Sequence, residues 1–261
     1  MSTVVFLHAH PDDESIATGG SISRAVHEGH RVVLVMATDG RHGETPADLG
    51  DDTLPERRRR ETEDSARILG VDDLRWLGYH DSGMTGWAQN QEPQAFVRAD
   101  VDDAARRLAD VLEEVAADVI VCYDWHGGYG HPDHIQVHRV GHRAAEIVRD
   151  AGRSVRLLES TMNRTRIAKM MSENPENEGF DPEQPADDGN PFGSTEDEIT
   201  MAVDVSAFVD TKRASIACHR SQITDSSFFL QMPPEVFAMA FGTEWFIEPG
   251  QPGGARPGWF L

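Results

Sequence analysis

Two short segments of the chain place histidine and aspartate side by side. The first reads HPDDE at residues 10–14, and the second reads HPDH at residues 131–134, about 120 positions later. Imidazole nitrogens and a carboxylate suit zinc, and a catalytic zinc has three protein ligands and one position open to water. One such segment alone is more often a turn with capping carboxylates. The pair predicts a mononuclear metal site, provided that the fold brings the two segments together.

Each segment follows a short apolar stretch that reads as a β-strand. Residues 4–7 precede the first segment, and residues 119–123 precede the sequence GGYG, residues 127–130, that leads into the second. Open α/β sheets bind ligands beyond the carboxyl ends of their strands. We therefore expect both segments to lie at one edge of one parallel sheet.

The rest of the chain alternates short β-branched runs with longer amphipathic stretches. This pattern is typical of βαβ units and predicts an α/β fold, a Rossmann-like single domain with a mainly parallel sheet flanked by helices. Helices are predicted over residues 55–69, 95–116 and 207–218, the first closed by Gly70. Strands are predicted over residues 4–7, 31–37, 74–77, 119–123, 155–159 and 243–247.

Composition and charge narrow the class of protein. The chain has 261 residues, 39% hydrophobic and 26% charged, which fits one globular domain over residues 1–261. Its formal net charge of −21 provides no basic surface, so DNA and RNA are excluded as partners. Ten carboxylates and no basic residue lie within residues 172–198. We interpret this stretch as an acidic loop or flap, and favour a solvated spacer over a substrate lid.

The number and spacing of the cysteines, together with the hydropathy of the chain, indicate the cellular compartment of the protein. Cys122 and Cys218 lack the spacing of a thiolate zinc site and are too few for a disulfide scaffold. The N-terminus does not read as a signal peptide, and no run approaches the roughly 20 apolar residues of a membrane span. We expect a cytoplasmic protein that acts on a small-molecule substrate. Whether it forms a homo-oligomer stays open.

The paired segments resemble those of the PIG-L/LmbE family of zinc-dependent de-N-acetylases, which includes the mycothiol-pathway deacetylase and amidase. The resemblance covers most of the chain and implies a hydrolase that removes an acetyl or other acyl group from an N-acylated amino sugar or conjugate. It implies one zinc ion per chain, although imidazole and carboxylate ligands also accept other divalent metals. Supporting matches are Arg58 with Glu61, DSGM at residues 81–84, GGYG at 127–130 and HRSQ at 219–222.

Carried over residue by residue, the resemblance assigns the metal ligands and the general base. It implies that His10, Asp13 and His134 hold the zinc. Asp12 then lies beside the attacking water and takes its proton. Glu14 is expected to support the site or to cap a helix rather than to react.

The second segment supplies the groups expected to act on the substrate amide. By resemblance, His131 stabilises the oxyanion and protonates the departing amine, and Asp133 holds His131 in its charged form. The hydroxyl of Tyr129 is expected to reach the same oxyanion. His138 and His142 continue the helix, and we interpret them as packing or supporting residues, because another imidazole ligand would close the open coordination position.

Two further residues have both a functional and a structural interpretation. Arg58 and Asp81 match positions that contact the substrate in mycothiol-type enzymes, so they are the candidates for substrate binding. The alternatives are a solvated or salt-bridged helix face for Arg58 and a turn cap for Asp81.

The function with most support is a zinc amidohydrolase of the de-N-acetylase type. A thiol-conjugate amidase would use the same chemistry, so it stays a close alternative. A non-catalytic metal-binding or sugar-binding module is disfavoured because Asp12 and His131 are both present. A phosphoesterase is disfavoured because it would usually need two metal ions and a cationic phosphate clamp.

Overall fold

The computed structural model describes residues 1–173 and 181–261, in which helices and strands alternate along the first two thirds of the chain. The strands are β1 Thr3–His8, β2 Arg31–Thr38, β3 Asp73–Tyr79, β4 Val119–Tyr123, β5 Arg156–Thr161, β6 Met201–Asp204, β7 Thr243–Ile247 and β8 Arg256–Pro257. The helices are α1 Asp13–His27, α2 Leu54–Leu69, α3 Val101–Glu114, α4 Pro132–Asp150, α5 Arg164–Glu173, α6 Val209–Ile216, α7 Phe228–Gln231 and α8 Pro234–Phe241.

The strands form one mixed sheet in the order β3-β2-β1-β4-β5-β7-β6-β8. Strands β1 to β5 run parallel, whereas β7 is antiparallel to both β5 and β6. The predicted α/β fold with a mainly parallel sheet is confirmed, and each strand predicted from the sequence is present. Strands β6 and β8 are not predicted because they are four and two residues long, too short for a readable alternation.

Helix α2 confirms the prediction for residues 55–69. It begins after Thr53, which forms a reciprocal cap with Glu56, and it ends at Gly70, which adopts the left-handed conformation with φ of 82°. Arg58 lies in the second turn of this helix and donates to the backbone carbonyl of Pro11. The helix therefore packs one of its charged side chains against the loop that follows β1.

The predictions for residues 95–116 and 207–218 are wrong at their first turns. Phe96–Arg98 is a 3-10 turn, and α3 begins only after Asp100, whose side chain accepts the N–H of Asp103. Helix α6 is likewise preceded by a 3-10 turn, Ser206–Phe208. Apolar spacing alone does not distinguish this tighter turn from the start of an α-helix.

Hydrophobic side chains cover both faces of the sheet. Along β1, Val5 and Leu7 are buried with residues of α3 and α4, whereas Val4 and Phe6 are buried with residues of α1 and α2. The central strands are thus apolar on both faces, as expected for a parallel sheet between two helix layers. The functional polar groups lie instead beyond the strand ends.

The sheet places the loops after β1 and β4 next to each other. The two strands are parallel neighbours, paired from Val4 with Val119 to Phe6 with Val121. From β1 the chain passes through α1 to β2 on one side, and from β4 it passes through α4 to β5 on the other. Such a reversal opens a crevice at the carboxyl edge of the sheet, where α/β proteins bind ligands. Both histidine–aspartate segments lie at this crevice.

Part of the acidic stretch, residues 172–198, packs beside the second segment. The stretch starts within the last turn of α5, and its residues 174–180 lie outside the described residues. Further along, the N–H of Asp187 donates to the carbonyl of Tyr129 at 2.9 Å, and the N–H of Gly193 donates to that of Gly128 at 2.6 Å. The described part of the stretch therefore contacts the loop that leads into α4.

Two further expectations concern membranes and disulfides. In the described parts of the chain, none of the helices has the length and apolar character that crossing a bilayer requires. Cys122 is buried, Cys218 is half-buried, and both are free thiols.

Candidate functional site

Three side-chain atoms from the two segments form a nearly equilateral triangle. Nδ1 of His10 lies 3.4 Å from Oδ2 of Asp13 and 3.3 Å from Nε2 of His134. The remaining side, from Nε2 of His134 to Oδ2 of Asp13, is also 3.3 Å. A tetrahedral zinc with ligands at about 2.0–2.1 Å separates its ligand atoms by about 3.3 Å. The donor types and their spacing therefore fit a divalent metal of this size.

In His10 and His134, the ring nitrogen that points away from the triangle lies within hydrogen-bond distance of an oxygen atom. Nε2 of His10 lies 3.1 Å from Oδ2 of Asp133, and Nδ1 of His134 lies 3.0 Å from the backbone carbonyl of Gly127. Donation to these oxygens leaves the lone pair of each neutral ring on the nitrogen that faces the triangle. Histidine ligands of metals are oriented in this way by carboxylates and carbonyls. The loop of residues 124–131 therefore contributes the Gly127 carbonyl to the site, and the first turn of α4 contributes Asp133.

Negative charge exceeds positive charge around the triangle. The carboxylates of Asp12, Asp13, Asp81 and Asp133 lie there, and among the described residues only Arg58 offers an arginine or lysine within ion-pair distance of any of them. Burial opposes the charge of Asp13, but nearby imidazoles, His134 first, hold its pKa well below the usual value. Burial also opposes the charge of His10, yet the carboxylates, Asp81 first, raise its pKa well above the usual value. The pocket therefore favours an additional cation.

Asp12 occupies a strained position between the first strand and α1. Its φ of 112° is unusual for a residue with a side chain. Its N–H donates to Oε2 of Glu14 at 2.9 Å, and Nη2 of Arg58 donates to its Oδ2 at 3.2 Å. Burial raises the pKa of Asp12 to about 6, against the opposing effect of Arg58. A carboxylate with a pKa near neutrality suits a general base.

Arg58 does not lie on a solvated helix face. Its side chain is buried, Nη1 donates to the carbonyl of Gly40 at 2.7 Å, and Nη2 donates to that of Pro11. A Cβ at Gly40 or Gly43 would collide with this guanidinium, so the glycines in that loop make room for it. Arg58 is therefore not solvated, but it forms an ion pair with Asp12, as the salt-bridged alternative expects, and it connects α2 to the loops after β1 and β2.

His131 has a defined neutral form. Its Nδ1 accepts the N–H of Asp133 at 3.1 Å, which caps the start of α4 and leaves the ring proton on Nε2. Burial, reinforced by His10 and His134, lowers the pKa of His131 to about 2. The expectation that Asp133 holds His131 in its charged form is not supported. The Asp133 carboxylate instead accepts from Nε2 of His10 and from the N–H and hydroxyl of Ser82.

Tyr129 and Asp81 complete the rim of the crevice. The hydroxyl of Tyr129 lies 3.4 Å from Nε2 of His134, and burial raises its pKa, so the phenol stays protonated. Oδ1 of Asp81 accepts the N–H of Gly83 at 2.8 Å, and its Oδ2 accepts that of His42 at 3.1 Å. The turn-capping alternative for Asp81 thus describes real contacts. The same carboxylate also lies 3.5 Å from Nε2 of His10, so Asp81 belongs to the site as well.

A buried ion pair behind Asp12 was not predicted from the sequence. Oε1 of Glu14 lies 2.7 Å from Nε2 of His219 and also accepts the hydroxyl of Ser65 at 2.5 Å. Burial opposes the charge of Glu14, but His219 lowers the pKa of this carboxyl to about 2. His219 lies in the HRSQ sequence noted above, which is the signal that could have identified it. Ser82 lies in the DSGM sequence noted above, whereas no sequence signal was available for Gly40.

Comparison with known proteins places the chain among de-N-acetylases. The family profile described as GlcNAc-PI de-N-acetylase, PIG-L, matches residues 5–145. The 1D-myo-inositol 2-acetamido-2-deoxy-alpha-D-glucopyranoside deacetylase of Thermomonospora curvata is 37% identical, over 93% of this chain and 89% of the relative. The enzyme of the same name from Saccharomonospora viridis is 38% identical, over 94% of each chain.

Solved structures show the same fold. N,N'-diacetylchitobiose deacetylase from Pyrococcus horikoshii has a TM-score of 0.56 and 25% identity, and the alignment covers 86% of this chain and 72% of that one. A 4-carboxy-2-hydroxymuconate hydratase from Pseudomonas putida reaches a TM-score of 0.63 at 18% identity, with both chains fully covered. Because that protein is named a hydratase, the fold alone does not identify the reaction.

We predict that Asp133→Asn weakens divalent-metal binding at the triangle about 10–100-fold, because His10 loses the carboxylate that orients and polarises its ring. Zinc affinity is measured by competition with a chromogenic chelator. The control is Asp110→Asn, at an exposed position on α3, which should leave the affinity unchanged. Equal affinities of Asp133→Asn and the wild type would contradict the role given to Asp133.

Proposed function

The chain belongs to the PIG-L family and is a de-N-acetylase, and we propose that it removes the acetyl group of an N-acetylglucosaminyl inositol. The observation that carries this proposal is the triangle of donor atoms formed by His10, Asp13 and His134, with Asp12 directly beside it. The substrate is proposed from the names of relatives that match nearly the whole chain. Products of the reaction are acetate and a free amine on the sugar.

We propose zinc as the ion and His10, Asp13 and His134 as its ligands. The imidazole and carboxylate donors suit zinc, and their spacing agrees with tetrahedral geometry. Bound there, a zinc ion acts as a Lewis acid that polarises the amide carbonyl and makes a water molecule more acidic. The remaining chemistry belongs to side chains of this chain.

Asp12 is the proposed general base. Its carboxylate takes a proton from the water that attacks the amide carbonyl, and a pKa of about 6 leaves it largely ionised near neutral pH. Arg58 and Glu14 hold this carboxylate and its strained backbone in place. Asp12 then passes this proton to the departing amine nitrogen. The reaction consumes one water molecule, and Asp12 returns to its ionised form.

His131 and Tyr129 are the proposed oxyanion donors. The neutral ring of His131 carries its proton on Nε2, and the protonated phenol of Tyr129 lies near the triangle, so both groups can donate to the developing negative charge. This proposal changes one expectation from the resemblance. Because burial favours neutral His131, Asp12 rather than a charged His131 supplies the proton to the amine.

Arg58 is the proposed substrate contact, and Asp81 is proposed to position the loops around the substrate. The Nε–H of Arg58 is buried and lacks an acceptor among the described residues, which leaves one donor for a ligand or water. Both oxygens of Asp81 already accept backbone N–H groups. We therefore propose that Asp81 acts on the substrate by holding the loops of residues 40–43 and 81–86 at the crevice.

The domain and compartment assignments are also proposals. One sheet contains strands from β1 to β8, which supports a single domain over residues 1–261 with an acidic loop or flap at residues 172–198. The free thiols of Cys122 and Cys218 support a cytoplasmic location, where cysteines stay reduced.

We predict that Asp12→Asn lowers kcat/KM for amine release about 10²–10⁴-fold while the metal content stays unchanged, because the amide cannot accept the proton of water. Amine release is measured on N-acetylglucosaminyl inositol, free N-acetylglucosamine and a thiol-conjugate amide, each with zinc-loaded protein. The control is Asp64→Asn, an exposed residue of α2. Hydrolysis of only the thiol-conjugate amide would replace the proposed substrate, and full activity of Asp12→Asn would remove Asp12 as the base.

We predict that Glu14→Gln lowers kcat about 10–100-fold with little change in KM, because the neutral side chain holds the Asp12 backbone and His219 less firmly. Steady-state kinetics on the best substrate of the panel measures this split. The matched control is Glu28→Gln, directly after the last residue of α1, which removes an exposed ion pair with Arg24 of that helix. Equal kinetics of Glu14→Gln and the wild type would show that Asp12 does not depend on this support.

A further inference from the structure

A second group of metal-ligand side chains lies outside the site described above. His138 and His142 are one helical turn apart on α4, and both face Glu159 of β5. Nε2 of His142 lies 2.6 Å from Oε1 of Glu159, and Nδ1 of His138 lies 3.6 Å from the same oxygen. One donor atom from each of the three residues lies within 4.8 Å of the other two.

We propose that His138, His142 and Glu159 bind a second divalent transition-metal ion, with zinc as the best-fitting one. Two histidines and one glutamate are a donor set that zinc proteins use, with water in the remaining position. Two histidines at i and i+4 present their rings on the same side of a helix. The rings of His138 and His142 are 4.2 Å apart between centroids, so the two imidazoles lie side by side next to Glu159.

Apart from the two histidines, the buried carboxylate of Glu159 has no cationic partner among the described residues. It is only 7% exposed, and within residues 1–173 and 181–261 no lysine or arginine lies within 4.0 Å of its carboxylate oxygens. Buried carboxylates are normally paired with a charge or coordinate a metal. A metal ion shared with the two imidazoles would supply that charge, whereas a neutral histidine would not.

In this group, His138 has a further polar contact and His142 is partly exposed to solvent. Nδ1 of His138 also lies 3.1 Å from the carbonyl of Tyr123, so this nitrogen gives up that contact if it binds the ion, or the ring binds the ion through Nε2. The side chain of His142 is 33% exposed, so an ion and its water ligands can enter from solvent. The cluster is therefore accessible from solvent through His142.

An ion at this position would connect α4 to β5. The same helix begins with the segment that carries His131 and His134, and β5 is paired with β4. The second ion would therefore hold the helix that presents part of the first site, and its three ligands include none of the residues proposed to act on the substrate. Its expected effect is on stability and metal content, not on the chemical step.

The test uses the full chain after removal of metal with a chelator. Zinc bound per chain is measured by isothermal titration and by elemental analysis after desalting. We expect about two ions for the wild type and about one for His134→Ala, which lacks a ligand of the first site. The double variant His138→Ala with His142→Ala should also bind about one ion, and the triple variant should bind none.

Two further variants distinguish loss of the second ion from loss of the fold. Glu159→Gln keeps the size of the buried side chain and should also lose the second ion. His30→Ala is the matched control, because this histidine lies 3.9 Å from Glu28 outside either cluster, and it should keep two ions. Zinc should raise the melting temperature of His134→Ala and leave that of the triple variant unchanged.

One zinc per wild-type chain would overturn the proposal. Two zinc ions retained by both the double variant and Glu159→Gln would overturn it as well. Neither outcome depends on deacetylase activity, so a failure here is distinguishable from a failure of the proposed function. Loss of all zinc from His134→Ala alone would likewise show that the second cluster binds none.

Discussion

The parallel pairing of β1 with β4 is the constraint on which the rest of the site depends. The proposed metal ligands are divided between the loops after these strands, and neither loop contains the full set. Parallel pairing brings both carboxyl ends to one edge, and the chain's departure in opposite directions opens the crevice between them. A register shift of one residue would reverse the direction of each side chain in the strand and separate the donors.

An excess of buried carboxylates sets the electrostatic potential of the crevice. The carboxylates that orient His10 and His134, or lie beside them, create a need for positive charge that Arg58 alone does not meet. A divalent ion meets that need at the point where the donors are spaced for it. Burial also keeps His131 neutral and raises the pKa of Asp12, so that one group can donate a hydrogen bond and the other can accept a proton. One electrostatic environment is thus consistent with metal binding and with the roles proposed for Asp12 as the base and His131 as an oxyanion donor.

Much of the fold was predictable because its signals are local in the sequence. Apolar runs identify the central strands, and the two segments beyond β1 and β4 identify the candidate ligands. Contacts between distant residues carry no such local signal. The approach of His219 to Glu14 spans more than two hundred positions, and the choice of His10 rather than His131 as the partner of Asp133 depends on side-chain geometry. The short strands β6 and β8 and the 3-10 turns were not predicted because they contain too few residues to show a periodic pattern of apolar side chains.

The central claim is that His10, Asp13 and His134 hold one ion at the centre of their triangle. The most direct measurement is a crystal structure of the zinc-loaded protein with anomalous data collected on both sides of the zinc absorption edge. The account predicts an anomalous peak about 2.0–2.2 Å from Nδ1 of His10, Oδ2 of Asp13 and Nε2 of His134. A peak coordinated instead by His131 with Asp81 or Asp133, and not by Asp13, would contradict the account.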